Sequence, residues 1–176
     1  AKRGGRGAAG RQDTPHGLRI AAIDIGTNSL HMVIVEVTPN LSFRILSSDK
    51  DLTNLGEAAL VEGVLSAGAI AQTLEALGRY QRIAASLGVD VVLAYATSAV
   101  RESANGGALV EAAKARLGMA VQVISAREEA HLIYLGVRSA VDLSPVDVPR
   151  RGGAGSPRQD AALILDIGGG SAEFIV

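Results

Sequence analysis

The sequence of 176 residues contains no cysteine and no tryptophan. Without cysteine there is no disulfide, no zinc-thiolate site and no cysteine nucleophile, and the chain suits a reducing cytoplasm. Aromatic residues make up 3% of the sequence, too few to build stacking platforms for bases. No charge dominates: 17 lysines and arginines stand against 18 acids. That gives no support to a nucleic-acid-binding surface. No run of about 20 apolar residues occurs, so no apolar helix spans a membrane. There is no Gly-Lys-Ser/Thr sequence, which excludes a phosphate loop of the Walker type.

Glycine is plentiful, and it gathers in a repeated phrase. Ile23-Asp24-Ile25-Gly26-Thr27-Asn28-Ser29 stands near the start. Leu165-Asp166-Ile167-Gly168-Gly169-Gly170-Ser171-Ala172-Glu173 stands near the end. In each, an apolar run ends in Asp, followed by an apolar residue, Gly and small hydroxyl or amide residues. A second apolar run follows at once, Leu30 to Val37 in one copy and Phe174 to Val176 in the other. The pattern is strand, tight turn, strand. Successive N–H groups in a tight turn form an anion nest. Gly26, Thr27, Asn28 and Ser29 are therefore candidate phosphate-binding residues, as are Gly168, Gly169, Gly170 and Ser171. An ordinary hairpin with Asp and Asn as turn formers is the plainer alternative for the first copy alone. The second copy, with three glycines and a hydroxyl, weighs against it. It is not a dinucleotide G-x-G-x-x-G site, because a strand follows where a helix should begin.

Along the chain, residues 1–17 are rich in Gly, Ala and Arg without periodicity and read as a disordered basic tail. Strands are expected at Leu18–Asp24, Leu30–Val37 and Phe43–Ser48, with short connections that make them antiparallel neighbours. Asp51–Gly63 reads as irregular. Apolar residues at helical spacing predict a helix over Ser66–Leu87, stopped by Gly88. Val89–Ala96 is almost wholly apolar and reads as a strand buried on both faces. A helix over Asn105–Leu117, stopped by Gly118, and a strand over Met119–Ile124 follow. Ser125-Ala126-Arg127-Glu128 fits a capping box opening a helix to about Arg138. Residues 139–160, with Pro145, Pro149, Pro157 and several glycines, read as a flexible linker. Residues 161–176 then open a second lobe. The order β-β-β-α-β-α-β-α, linker, β-β predicts an α/β fold with a mixed sheet. The chain begins with Ala1 rather than Met and stops at Val176 inside an apolar run. A piece of a longer polypeptide is the expectation, holding residues 18–138 as a first lobe.

Four stretches, in family order, resemble the exopolyphosphatase/guanosine pentaphosphate phosphatase family. They are residues 22–29; Ala96-Thr97-Ser98-Ala99-Val100-Arg101-Glu102; Ile124-Ser125-Ala126-Arg127-Glu128-Glu129-Ala130; and residues 166–173. The second and third are the more specific. The resemblance implies an actin-like ATPase (ribonuclease H-like) fold. It implies magnesium-dependent hydrolysis of the terminal phosphoanhydride of inorganic polyphosphate or of guanosine pentaphosphate. By position, Glu129 matches the catalytic base and Arg101 an arginine lining the phosphate site. Asp166, Gly168, Ser171 and Glu173 match the second phosphate motif. Asp24, Asp166 and Glu173 are then the candidate ligands of Mg2+.

Each of these residues also has a plainer role. Glu129 suits a helix first turn, and Arg101 suits a polar loop. Asp24 and Asp166 terminate strands, and Glu173 suits an exposed strand position. His31 lies in the second strand beside the first turn; a histidine satisfied within the strand is the simpler reading, a place in the site the other. Ser98 and Ser125 lack a His/Asp pattern, so no serine triad is expected. Two rival functions remain: a kinase of the same superfamily, and a non-catalytic module binding phosphorylated ligands. No nucleic-acid or membrane partner is expected, and a homodimer stays open.

Overall fold

A computed structural model describes residues 17–40, 42–140, 164–169 and 172–175, excluding the side chains of residues 60, 173 and 174. The basic tail up to residue 16, residues 141–160 of the linker, residues 161–163 of the second lobe, and the site candidates Gly170 and Ser171 lie outside the described residues. Three antiparallel strands open the chain: β1 (Leu18–Ile25), β2 (Ser29–Val37) and β3 (Phe43–Leu52). Helices α1 (Gly56–Glu62) and α2 (Ala67–Ser86) lead to β4 (Val91–Ala96), which pairs in parallel with β1. Helices α3 (Ser98–Glu102) and α4 (Gly106–Leu117) lead to β5 (Val121–Val123), parallel to β4. Helix α5 (Ala126–Ala140) follows, and β6 (Ile164–Ile167) and β7 (Ala172–Ile175) form a separate hairpin. The five-stranded sheet has the order β3-β2-β1-β4-β5.

The alternation of β1 decides which face is which. Ala21, Ile23 and Ile25 are buried, while Ala22 and Asp24 point the other way and are exposed. On β2 the buried set is Leu30, Met32 and Ile34. Leu74, Leu77 and Tyr80 of α2 and Leu109 and Ala113 of α4 complete this inner core. Each fully buried Leu or Ile contributes about 1.5–3 kcal/mol. The buried hydroxyl of Tyr80 lies 3.2 Å from the carbonyl of Leu30 and 3.3 Å from that of Asp49, tying α2 to the β2–β3 hairpin.

The helix signals act as expected. The hydroxyl of Ser66 caps α2 by accepting the amide of Ala69 at 3.1 Å. Gly88 and Gly118 take positive φ, which lets the chain turn out of α2 and α4. The capping box forms: Ser125 N and Oγ donate to Glu128 at 2.9 and 2.8 Å, and Glu128 N donates to Ser125 Oγ at 3.2 Å. These bonds hold the Glu128 carboxyl below its ordinary value.

Three expectations need correction. Residues 51–63 are not irregular, because β3 runs on to Leu52 and α1 occupies Gly56–Glu62. Residues after β4 are not a loop, because Arg101 sits in the last turn of α3. Strand β4 is not buried on both faces: Val91, Val92 and Leu93 are 39–42% exposed. Among the described residues α5 lines the outer face at the Tyr95 and Gln122 end and leaves Leu93 uncovered, while Val92, the partner of Ala21, is exposed on the core side. There Tyr95, Gln122 and Ile124 face Arg127, Glu128, His131 and Leu132 across a cavity of about 460 Å³. No helix among the described residues is long and apolar enough to cross a membrane.

Candidate active site

The first turn is braced from behind. Gly26 N donates to the carbonyl of Ser29 at 3.0 Å, which closes it. The carbonyl of Asn28 accepts the amides of Thr53 and Asn54 at 3.0 and 3.1 Å, and that of Thr27 accepts Gly56 N at 2.7 Å. Asn54 adopts φ 47°, a left-handed conformation that asparagine tolerates. The hydroxyls of Thr27 and Ser98 share a buried hydrogen bond of 2.9 Å. Thr27 was grouped with the phosphate ligands by sequence, but its side chain faces the fold. It ties the first turn to the first residue of α3. Nothing local in the sequence signals this, since the two hydroxyls are 71 residues apart.

The second turn meets the first. A Cβ on Gly169 would collide with the side-chain amide of Asn28, so a larger residue there would force that side chain or the turn to move. Helix α5 contacts β7. The two Asp-x-Gly turns thus face each other. Asp166, and Glu173 as its cross-strand partner, belong to the hairpin that carries the second turn.

An ion pair stands close to Asp24. Arg101 Nη1 donates to Glu129 Oε2 at 2.9 Å and to the carbonyl of Ile124 at 3.0 Å. The side chains are 20% and 14% exposed. Glu129 lies in the first turn of α5, where its amide bonds back to Ser125. The pair therefore brings together α3, the end of β5 and α5. Oε2 of Glu129 is engaged by Arg101, while Oε1 makes no hydrogen bond among the described residues.

Asp24 completes the cluster. Although the residue is exposed as a whole, the neighbours crowded around its carboxyl strip it of water and hold it above the ordinary carboxylate value, with the charge of Glu129 second. Asp166 adds to this, while His31 acts against it. Asp24 is thus close enough to feel the charges of both Glu129 and Asp166. His31 is the cross-strand partner of Asp24, and its Nε2 lies 3.1 Å from Ser48 Oγ. Both sequence readings of His31 hold in part: it is bonded within the sheet, and it stands beside the site.

These features coincide with a family match. The profile of the Ppx/GppA phosphatase family covers residues 33–176. The chain belongs to the Ppx/GppA phosphatase family. Exopolyphosphatase 1 of Mycobacterium leprae is 30% identical over 157 residues, which is 89% of this chain and 42% of that protein. The crystal structure of an exopolyphosphatase from Cytophaga hutchinsonii is similar with a TM-score of 0.78 and 32% identity, over 89% of this chain and 46% of that one. The Aquifex aeolicus PPX-GPPA enzyme gives a TM-score of 0.72 at 28% identity, over 89% and 47%. The chain spans less than half the length of each of these relatives. Its fold is the actin-like ATPase type of Ppx/GppA proteins, as the sequence resemblance implied.

The donor set suits the metal implied by that resemblance. Asp24 and Asp166 offer hard carboxylate oxygens, and their mutual repulsion is what a cation would relieve. Among the described residues no group of three carboxylate or imidazole side chains is arranged to hold one ion. Magnesium is commonly held by one or two carboxylates together with water and substrate phosphates, so the arrangement fits it.

Proposed function

We propose that the whole protein releases the terminal phosphate of inorganic polyphosphate by hydrolysis. The Arg101–Glu129 pair beside the two facing turns carries this reading. Phosphoryl transfer asks the protein mainly for positioning and for charge stabilisation. Amides of Gly26–Ser29 and of the Gly168–Ser171 turn would hold phosphate oxygens. Arg101 fixes one oxygen of Glu129, and the other accepts a proton from the attacking water. The water oxygen bonds to the terminal phosphorus, and the bond to the bridging oxygen breaks. The products are phosphate and a chain one unit shorter. Asp24 and Asp166, with Glu173, would hold magnesium, which when bound offsets charge on the phosphoryl oxygens.

Guanosine pentaphosphate ends in the same anhydride and would present the same atoms to Glu129. Phosphate release from both substrates by the whole protein ranks them. The cysteine-free sequence fits the cytoplasm as the place of reaction. The deciding experiment supplies polyphosphate and magnesium without any nucleotide. Phosphate release is expected, and Glu129→Gln should lower it by about 100-fold or more. Turnover only with a nucleotide present would favour the kinase instead. Binding without turnover would leave the non-catalytic module.

A further inference from the structure

The strand registers place one polar row across the outer face of the sheet. Lys50 on β3 pairs with His31 on β2, and His31 pairs with Asp24 on β1. Asp24 pairs with Tyr95 on β4, and Tyr95 with Gln122 on β5. Directly paired residues share a face. All five side chains therefore line up on the side away from the core. The adjacent outer positions Ala22, Val33 and Leu93 are apolar. Asp24 sits in the middle of the row, so the row leaves the catalytic mouth in two directions.

One direction presents cations without an acid beside them. Toward β5 the cavity is mixed: Arg127 and His131 line it together with the carboxylate of Glu128 and the apolar Ile124 and Leu132. Toward β3 come His31 and Lys50, both exposed. Among the described residues Lys50 makes no hydrogen bond or ion pair. The acids that flank it in sequence face the opposite side. Asp49 and Asp51 pair with the buried Met32 and Leu30, and Asp51 is held by Arg79 of α2 at 2.6 Å. Strand alternation thus presents the cation and turns both neighbouring carboxylates away. The need for such a cation is plain, because a polyanion must approach Asp24, Glu129 and Asp166, and Arg101 is already committed to Glu129.

We propose that Lys50, with His31 beside it, forms a subsite for inner phosphates of the substrate, which leaves the mouth across β2 and β3. This rests on the phosphohydrolase reading. Two strand spacings put the backbone of Lys50 about 10 Å from that of Asp24. A long chain lays more phosphates along this path than a chain of three, so Lys50 would set a preference for length.

The test compares long-chain polyphosphate with tripolyphosphate in the whole protein, unsubstituted and as Lys50→Gln and Lys50→Arg. Lys50→Gln is expected to raise KM for the long chain about ten-fold, the loss of one charge-assisted bond. Its kcat should stay within about two-fold, and the KM for tripolyphosphate should rise less than that for the long chain. Lys50→Arg should keep the long-chain KM. An unchanged long-chain KM, or an equal rise for both substrates, overturns the subsite. If the whole protein releases no phosphate, the proposed function fails, and equilibrium binding of long-chain polyphosphate decides the subsite instead. Weaker binding by Lys50→Gln supports it. Equal binding, or no binding by the unsubstituted protein, overturns it.

Discussion

Arg101 Nη1 donates to Glu129 Oε2 at 2.9 Å, joining two helices whose residues are 28 positions apart. Both side chains are largely buried, so removing one partner strands the other. Arg101→Ala is expected to cost about 1–3 kcal/mol of stability, read from urea unfolding. Arg101→Lys should recover part of the stability, since a single ammonium replaces a fork that also serves Ile124.

Gly169 is the contact point between the turns. Gly169→Ala would drive a methyl group into the amide of Asn28. The Asn28 side chain must swing aside or the turns must part, and phosphate release should fall while the inner core around β1 and β2 keeps its stability. Adding Asn28→Ala should restore part of the lost activity if the clash is the cause. The double-mutant cycle measures that coupling.

The shared hydrogen bond of Thr27 and Ser98 is buried. Ser98→Ala leaves the Thr27 hydroxyl without its partner and should cost about 1–3 kcal/mol. Thr27→Val combined with Ser98→Ala should cost less than the sum of the two single changes. Chemical denaturation of all four proteins tests this.

Asp24 links activity to stability through pH. Its folded carboxyl titrates above the ordinary 3.8, with burial as the first cause and Glu129 as the second. Between the unfolded and the folded value the native state binds more protons, so stability falls as pH rises through that window. Above it the penalty is constant. Asp24→Asn removes the penalty, and its thermal midpoint should exceed that of the unsubstituted protein at neutral pH. The gap should close below about pH 3.8. The same substitution should abolish magnesium-dependent phosphate release. Magnesium should raise the midpoint of the unsubstituted protein more than that of Asp24→Asn.

Sequence periodicity was enough to find α2, α4 and α5, because their apolar residues, glycine stops and the Ser125 cap all agree. The antiparallel start was equally visible in its short turns. Strand β3 read too short because residues 47–51 are polar. An edge strand carries such residues where its outer face and its free edge meet water. Helices α1 and α3 went unseen because five or seven residues hold too little periodicity to register. At the site, both turns are legible in the repeated phrase and Arg101 and Glu129 through resemblance, but their contact is not. The roles of Thr27 and Lys50 depend on partners in distant segments. Pairings such as His31 with Lys50 exist only after the sheet has formed.

The bracing of the first turn has a consequence for selectivity. Three amides from outside the turn hold the carbonyls of Thr27 and Asn28. A turn fixed in that way has little freedom to tighten around what enters it. Its recognition then works by shape. A tetrahedral anion of phosphate size is received without rearrangement, sulfate should compete for the same place, and a planar carboxylate or nitrate should compete poorly.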